Sequence, residues 1–253
     1  MIENNFFKKS PEEELIDKFK LRRYPVDYGD NNAISYVSNI KENSDLQTNP
    51  DSLIRQTLKF LPENLINKRV IDIGCGEGRW SRLMAEKGAI VTGIDPSRKM
   101  IEFAKERSKK FNDKIELLQT NITDLANNNK KFDIAFSCYT FHNINNLNDI
   151  FQVLNKIIKY DGELLIATKL LDFNYSKNKI LKKYYLPVKS KGHTIYTYGN
   201  ELEDYEKSAK DNNFKLTESS LLEVEDSFTN KELNEQNIKI FNAVLKFGKI
   251  QIK

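Results

Sequence analysis

Between residues 68 and 168, short apolar runs alternate with longer stretches in which apolar residues recur every three or four positions. The apolar runs carry hydrophobic side chains at most positions, which is typical of strands buried on both faces of a sheet. The pattern predicts strands at residues 70–73, 90–94, 115–118, 132–137 and 163–168. Their alternation with helices predicts an α/β fold with an open parallel sheet and helices on both faces.

The helical stretches of this region lie at residues 80–87, 98–109 and 147–159. The third is the clearest, because its apolar residues recur at the spacing of one helix face. They are Leu147, Ile150, Phe151, Leu154, Ile157 and Ile158. Tyr160, Asp161 and Gly162 follow, and this combination predicts a turn before the fifth strand.

The two ends of the chain carry weaker patterns. Ser10 is a candidate N-cap for a helix from Pro11 to about residue 20, and a second helix is predicted to begin near Asp51. Residues 200–212 are typical of a helix, and residues 214–222 and 241–250 are typical of two further strands. Residues 171–199 show no firm periodicity, so no element is predicted there.

The composition narrows the class of protein. The chain has 253 residues, 39% hydrophobic and 30% charged, as in a protein with a real core. No apolar run approaches the roughly 20 residues that cross a bilayer, and the N-terminus lacks the layout of a signal peptide. We therefore expect a cytoplasmic protein with no membrane partner. The net charge of +4 permits a nucleic-acid partner without indicating one. Two cysteines and two histidines are too few for a disulfide framework or a soft-metal site.

Gly74, Gly76 and Gly78 follow the first predicted strand and precede a predicted helix. Glycine lets a ligand approach the backbone closely, and a helix N-terminus offers free N–H groups to a negative charge. Such a turn suits a nucleotide-like ligand that carries a carboxylate or a phosphate, and a plain strand-to-helix turn is the alternative. The G-x-G-x-G spacing differs from the G-x-G-x-x-G of dinucleotide-binding proteins.

Asp95 ends the second predicted strand, 17 residues after Gly78. A carboxylate at this edge can accept hydrogen bonds from both hydroxyls of a ribose. The alternative role is a cap or dipole partner for the helix that begins near Ser97. After a glycine turn of this kind, the ribose role is favoured.

Four segments carry a resemblance to a known family: RVIDIGCGEGRW at residues 69–80, GIDPS at 93–97, FDIAFSCYTFHNI at 132–144 and YDGELLIATK at 160–169. The sequence resembles the class I S-adenosylmethionine-dependent methyltransferases, of the small-molecule kind related to quinone-biosynthesis methyltransferases. The resemblance is good over residues 65–170 and loose over 200–250. It implies a Rossmann-like, seven-stranded, mostly parallel sheet with an antiparallel last strand.

The resemblance also implies a domain plan. Residues 1–60 would be an N-terminal helical cap, and residues 61–253 would be the methyltransferase domain. Within that domain, residues 171–199 would form a lid insertion after the fifth strand, over the acceptor site.

The resemblance implies S-adenosylmethionine as the cofactor and S-adenosylhomocysteine as the product. The cofactor-binding residues that it implies are Tyr28, Asp72, Gly74, Cys75, Gly76, Gly78, Asp95, Pro96, Met100, Asn121, Ile122, Ser137 and Cys138. Asp95 would hold the ribose, and Pro96 and Met100 would flank the adenine. Asn121 stands where the family usually has an acidic residue, and its carbonyl oxygen could still accept the adenine amino group. The two cysteines are interpreted as packing residues rather than nucleophiles.

The acceptor side has fewer signals. His142, a few residues past the fourth strand, is the candidate catalytic general base, and a polar residue hydrogen-bonded across the cleft is the alternative. The insertion is rich in tyrosine and lysine, which suits an aromatic or anionic small-molecule acceptor or else a lid whose tyrosines pack on the core. The candidate acceptor residues are Tyr139, Tyr184, Tyr185, His193, Tyr196 and Tyr198.

The leading hypothesis is transfer of a methyl group to an oxygen or nitrogen of a small molecule by in-line displacement. Three alternatives stay open: an RNA-modifying methyltransferase, an NAD-dependent oxidoreductase, and a non-catalytic binding protein on the same fold. The mild net charge argues against RNA, and the glycine spacing argues against NAD. Intact glycines together with Asp95 argue against a non-catalytic protein. We expect a monomer or a homodimer without a nucleic-acid partner.

Overall fold

The computed structural model describes residues 9–23, 37, 52–127, 129–174, 176, 178–190, 193–224 and 230–250. The strands in this part of the chain are β1 (Arg69–Ile73), β2 (Ile90–Asp95), β3 (Ile115–Gln119), β4 (Phe132–Cys138), β5 (Ile158–Asp172), β6 (Tyr185–Ser190), β7 (His193–Tyr198), β8 (Phe214–Glu223) and β9 (Lys239–Lys249). The helices are α1 (Pro11–Phe19), α2 (Ser52–Phe60), α3 (Arg79–Glu86), α4 (Arg98–Arg107), α5 (Leu147–Ile157), α6 (Leu202–Asp211) and α7 (Lys231–Asn234).

Seven strands form one sheet in the order β3-β2-β1-β4-β5-β9-β8. Strands β1 to β5 pair in parallel, and β9 runs antiparallel to both of its neighbours. The predicted seven-stranded, mostly parallel sheet with an antiparallel last strand is confirmed. Because the parallel strands all end on the same edge, the segments that follow β1, β2, β4 and β5 meet there.

The core lies on both faces of this sheet, as predicted. Side chains alternate between the faces of a strand, and β5 shows this directly. Leu164 and Ile166 join a buried cluster with residues of α5 and α6. Leu165 and Ala167 join a second cluster with residues of α2 and α3. The strands are therefore apolar at most positions because both of their faces are covered.

The start of β5 differs from the expectation. Helix α5 ends at Ile157, and β5 begins at once at Ile158 and runs through the predicted turn. Asp161 has a φ of 60°, and the pairing register with β4 shifts between Phe132 and Ile134. The turn residues therefore form a bulge inside a long strand, since one left-handed residue can be absorbed by a register shift.

Residues 171–199 contain a hairpin that the periodicity did not predict. Strands β6 and β7 pair antiparallel, and β6 is buried from Tyr185 to Val188, so it shows no alternation of apolar and polar residues. A third buried cluster joins this hairpin to α1, through residues such as Phe19 and Leu186. Arg22, just after α1, forms a β-bridge with Tyr185. The N-terminal helix thus packs on the insertion, and the division of the chain at residue 60 stays a prediction.

Tyr185 fastens the hairpin to the segment that follows β4, because its hydroxyl donates to the carbonyl oxygen of Asn143 over 3.0 Å. Replacing Tyr185 by Phe removes the donor of this partly buried hydrogen bond. We expect Tyr185→Phe to lower the free energy of unfolding by about 1 to 3 kcal/mol in urea denaturation. The matched control is Tyr160→Phe, since Tyr160 is 70% exposed and its loss should change stability by less than about 0.5 kcal/mol. Equal effects of the two substitutions would contradict the fastening role.

Candidate functional site

The glycine turn after β1 is held on the end of β2. The backbone N–H groups of Gly74 and Cys75 both donate to the carbonyl oxygen of Ile94, at 2.8 and 2.9 Å. Gly74 has a φ of 71° and Gly76 a φ of 54°, which L side chains rarely adopt. A Cβ at Gly76 would meet nothing within 4 Å, so the backbone there faces open space. This open space is compatible with the close approach of a ligand predicted for the turn, which stays a prediction.

Asp95 joins the turn to the start of α4. Its Oδ2 accepts from the backbone N–H of Gly76 at 3.0 Å, and its Oδ1 accepts from the backbone N–H of Ser97 at 2.9 Å. Burial raises the pKa of Asp95, and the two backbone N–H groups oppose that rise. Asp95 thus contacts the N-cap residue of α4, whereas the cap itself is Ser97, whose Oγ accepts from the backbone N–H of Met100 at 3.3 Å. The ribose role is compatible with the contacts of Asp95, because each carboxylate oxygen can accept more than one hydrogen bond.

Asp72 lies on β1 beneath the turn and is fully buried. Oγ of Ser81 donates to its Oδ2 at 2.6 Å. Burial, with a smaller contribution from the charge of Asp95, raises the pKa of Asp72 to about 7, although the bond from Ser81 opposes the rise. Asp72 is therefore poised between its neutral and charged forms near neutral pH. A cationic group bound beside it would favour the charged form.

Glu77 is a buried charge of the turn that the sequence analysis missed. Its side chain is 3% exposed, and its carboxylate lies 2.8 Å from Arg82 on α3 and 3.0 Å from Arg107 at the end of α4. Two arginines compensate the burial of this carboxylate. Glu77 thus anchors the turn to both neighbouring helices. The only sequence signal was an acidic residue between two glycines, which equally suits an exposed turn.

The other predicted cofactor residues, apart from Tyr28, lie at the same edge of the sheet. Ser137 is buried, and its Oγ donates to the carbonyl oxygen of Ile73 at 2.9 Å, which ties β4 to β1. Met100 is buried against Phe103 and Val37. The remaining residues differ in exposure: Gly78, Cys75 and Ile122 are buried, Cys138 is half-buried, and Pro96 and Asn121 are exposed. Tyr28 lies outside the described residues. The roles of all these residues in binding a cofactor stay predictions.

Both cysteines are free thiols, and Cys75 is buried. Burial raises the pKa of the Cys75 thiol well above its ordinary value, ahead of smaller effects from Asp72 and Asp95. A thiol that stays protonated is a poor nucleophile. This is consistent with the packing role predicted for Cys75.

Thr140 connects the glycine turn to the segment after β4. A Cβ built on Gly74 would lie 2.1 Å from Oγ1 of Thr140, closer than any real contact. The next element along the chain is a short 3-10 helix at Phe141–Asn143, which carries His142. The segment that carries the candidate base therefore packs against the glycine turn through Thr140. Thr140 was not predicted, because nothing in the sequence shows which residue faces a glycine.

His142 is 3% exposed, and its Nδ1 has no hydrogen-bond partner within the described part of the chain. Burial, followed by the positive charge of Lys169, lowers the pKa of His142 from 6.5 to about 3. The imidazole is therefore neutral at neutral pH and a weak base. Tyr139 lies edge-on to the His142 ring at 6.2 Å and has a φ of 59°.

The tyrosines of the insertion contact protein groups. Tyr184 is buried, and its hydroxyl is hydrogen-bonded to Glu12 on α1. The guanidinium of Arg22 lies 4.1 Å from the ring centre of Tyr196, and the ring of Tyr198 packs 5.0 Å from that of Tyr185. These contacts match the alternative in which the tyrosines pack on the core. For His193 only the backbone in β7 is described. The acceptor-binding roles of these residues stay predictions.

The described ranges contain no cluster of His, Cys, Asp and Glu side chains that could hold a metal ion. In the same ranges, no helix has the length and apolar character needed to cross a bilayer.

An open sheet with the order of this one, a glycine turn after β1 and a carboxylate at the end of β2 together define the class I methyltransferase fold. A putative S-adenosylmethionine-dependent methyltransferase from Listeria monocytogenes has a similar structure, with a TM-score of 0.57 and 20% identity. The similarity covers 79% of this chain and 98% of that one. At this level of identity, the likeness establishes the fold.

Residues 71–166 match the family described as methyltransferase domain. This region is a methyltransferase domain, and the resemblance predicted from the four sequence segments is confirmed over it. A ubiquinone biosynthesis O-methyltransferase from Haemophilus ducreyi is 34% identical over 129 residues, which are 49% of this chain and 51% of the relative. A second, from Pelagibacter ubique, is 29% identical over 166 residues, which are 60% of this chain and 65% of the relative. The chain thus spans between half and two thirds of the length of these relatives.

The contact between Gly74 and Thr140 yields a stability test. Gly74→Ala adds a left-handed alanine, which costs about 1 to 2 kcal/mol, and an overlap with Thr140, which costs about 1 to 3 kcal/mol more. Gly76→Ala adds only the first of these costs, because its Cβ points into open space. Urea denaturation should show the larger loss for Gly74→Ala, and Thr140→Gly in the same background should recover part of it. Equal losses at Gly74 and Gly76 would show that the turn moves freely.

The raised pKa of Asp72 predicts a pH dependence of stability. Between pH values of about 4 and 7 the unfolded chain ionises Asp72 while the folded chain keeps it protonated. The wild type therefore loses stability in this window relative to Asp72→Asn, by up to about 1.4 kcal/mol per pH unit. Above pH of about 7 the difference should stay constant. Urea denaturation of both proteins across this range measures it.

Asp133→Asn is the control for this measurement. Burial raises the pKa of Asp133, but hydrogen bonds from Lys159 and the backbone of Arg69 outweigh it, and the net pKa is lowered. The stability difference between Asp133→Asn and wild type should therefore be flat through the window in which that of Asp72→Asn grows. Parallel curves for Asp72→Asn and wild type would contradict the raised pKa of Asp72.

Proposed function

We propose that this chain is an S-adenosylmethionine-dependent methyltransferase that acts on a small-molecule acceptor. One observation carries the proposal: the Asp95 carboxylate is bonded to the N–H of Gly76, at the point where the glycine backbone faces open space. A sugar hydroxyl placed there would meet a fixed carboxylate, and a neighbouring carboxylate or amine would meet the turn. The resemblance of the four sequence segments supports the same ligand.

The residues at this edge fit the cofactor chemically. Asp95 would accept the ribose hydroxyls, and the turn at Gly74 and Gly76 would lie against the amino-acid part. Asp72, poised near neutral pH, would ionise in answer to the ammonium group of that part. Met100 would support the adenine from its buried position beside Val37. When bound, S-adenosylmethionine supplies an electrophilic methyl group on a positively charged sulfur, so that the protein mainly has to align and desolvate the acceptor.

The names of the curated relatives suggest a class of acceptor. They are O-methyltransferases of ubiquinone biosynthesis, which supports an oxygen atom of a quinone-type or aromatic small molecule as the acceptor. The RNA-modifying and NAD-dependent alternatives receive no support from these relatives. A cytoplasmic location and a monomeric or homodimeric state stay part of the proposal.

His142 does not suit the role of a strong general base as it stands. A base with a pKa of about 3 is poorly matched to an acceptor hydroxyl at neutral pH. The ring is neutral and can orient an acceptor by a hydrogen bond at Nδ1. Loss of the acceptor proton then requires another group that stabilises the resulting oxyanion.

Asp95→Ala tests the proposed function. We expect calorimetry to show S-adenosylmethionine binding to the wild type, and a loss of affinity of about 30-fold or more in Asp95→Ala, because two or more charge-assisted hydrogen bonds are removed. Asp95→Asn should give an intermediate loss. Asp211→Ala, at the exposed end of α6, serves as the control and should bind like wild type. Binding of NAD in place of S-adenosylmethionine, or an Asp95→Ala variant with unchanged affinity, would refute the proposal.

A further inference from the structure

The end of β5 carries a buried cation that the cofactor side of the site does not use. Lys169 is 3% exposed, which is rare for a lysine. Its Nζ donates to Oδ1 of Asn242 at 3.0 Å, on the directly paired residue of β9. Nδ2 of Asn242 donates in turn to Oγ of Ser52, at the start of α2. These contacts fix an ammonium group at the carboxyl edge of the sheet.

A polar atom with an unmet hydrogen bond lies beside this cation. The charge of Lys169 acts on the buried ring of His142, and Nδ1 of that ring has no hydrogen-bond partner in the described part of the chain. An unsatisfied buried polar atom costs about 1 to 3 kcal/mol. A bound group with a hydrogen-bonding oxygen would relieve that cost at a place where the field is positive.

Lys169 and His142 are connected to the glycine turn through one short segment, residues 139–142. Tyr139 donates its backbone N–H to the carbonyl oxygen of Ala167, two residues before Lys169. The next residue, Thr140, packs against Gly74 of the turn. The segment 139–142 therefore contacts the glycine turn at Thr140 and the neighbourhood of Lys169 at His142. An acceptor bound beside this segment would lie between the glycine turn and Lys169.

We propose that Lys169 is the acceptor-binding residue of this site, and that its ammonium group holds the oxygen of an acidic hydroxyl, of the phenol or enol class, as an oxyanion. Asn242 is the positioning residue that orients the ammonium. The inference rests on the proposed methyltransferase function. On binding, the hydroxyl releases its proton to solvent, and the oxygen keeps the electron pair with which it can attack a methyl group.

The electrostatics favour this assignment over a protein base. A positive charge within about 4 to 6 Å stabilises the charged form of an acid by about one to three pKa units, and exclusion of water strengthens the effect. A neutral His142 can then hydrogen-bond to the acceptor without having to take its proton. Because Lys169 is buried, an acceptor can reach its ammonium group only if protein groups that cover this lysine move aside.

The test uses 4-nitrocatechol as a probe, because its phenolate absorbs visible light and its phenol does not. The protein is first saturated with S-adenosylhomocysteine, and spectra are recorded at a pH about one unit below the pKa of the free probe. The wild type should bind the probe mainly as the phenolate. Lys169→Met should bind it about tenfold or more weakly and as the neutral phenol. Lys169→Arg keeps the charge and should retain the phenolate spectrum.

Lys246→Met is the matched control. Lys246 lies on β9, the strand paired with β5, and is partly buried, but it pairs with Glu163 and Glu218, so its loss should leave the probe spectrum unchanged. Calorimetry with S-adenosylhomocysteine on every variant separates the two proposals. No binding to wild type would refute the proposed function itself. Binding to wild type with a neutral probe, or with the same phenolate spectrum in Lys169→Met, would overturn the inference alone. Loss of S-adenosylhomocysteine binding in Lys169→Met would overturn it too, since the lysine would then support the fold.

Discussion

The carboxylate of Asp95 accepts hydrogen bonds from two segments that would otherwise be independent, the turn after β1 and the start of α4. The residue before it, Ile94, accepts two more bonds from the same turn. A charge-assisted hydrogen bond is stronger than a neutral one, so the end of β2 acts as the common anchor of the site. The open backbone at Gly76, the buried carboxyl of Asp72 and the packing of Thr140 on Gly74 all depend on where this anchor holds the turn.

Two further carboxyl groups lie near the turn, and they differ in the residues that surround them. Glu77 forms ion pairs with Arg82 and Arg107, so it is a fixed structural element. Asp72 is hydrogen-bonded to the neutral residue Ser81, and its pKa rises to about 7. Burial without a cation is costly for a carboxylate. The same burial makes the protonation state of Asp72 sensitive to a bound ligand, because a cationic group beside Asp72 would stabilise its carboxylate.

Much of the fold could be predicted because periodicity reports burial directly. The strands and helices between residues 68 and 168 lie within two residues of their expected bounds, except β5, which begins five residues earlier and ends four residues later than expected. At the start of β5 the chain absorbs a turn into a bulge, which depends on pairing with β4 and leaves no mark in local sequence. The hairpin of the insertion was missed for a related reason. Strand β6 is buried on both sides by the rest of the chain, including α1, so its pattern lacks the alternation of an exposed hairpin.

Residues of the candidate site could be predicted where their residue type has few structural roles. They could not be predicted where the residue type has many roles. Glycines after a buried strand and an aspartate at the end of the next one restrict the possible roles, and the structure brings Gly76 and Asp95 into contact. Glutamate and lysine are usually surface residues, so Glu77 and Lys169 carried no signal. Their burial is a property of the tertiary fold. The tyrosines of the insertion suited an acceptor site and a packed lid equally, and only their partners distinguish the two.

The buried charges at the two ends of the site have opposite signs. Asp72 lies on β1 and Lys169 on β5, with β4 between them in the sheet. Asp72 is level in the sheet with Leu165, four residues before Lys169. Two strand spacings and this offset along β5 separate the two backbones by about 16 Å, and at that distance the attraction between the charges is only about 1 kcal/mol at an effective dielectric constant of about 20. Asp72 and Lys169 therefore influence each other little: Asp72, when ionised, places a negative charge at one end of the site, and Lys169 lies at the other. A cationic donor and an anionic acceptor, bound side by side, would match this polarity, whereas two ligands of the same sign would not.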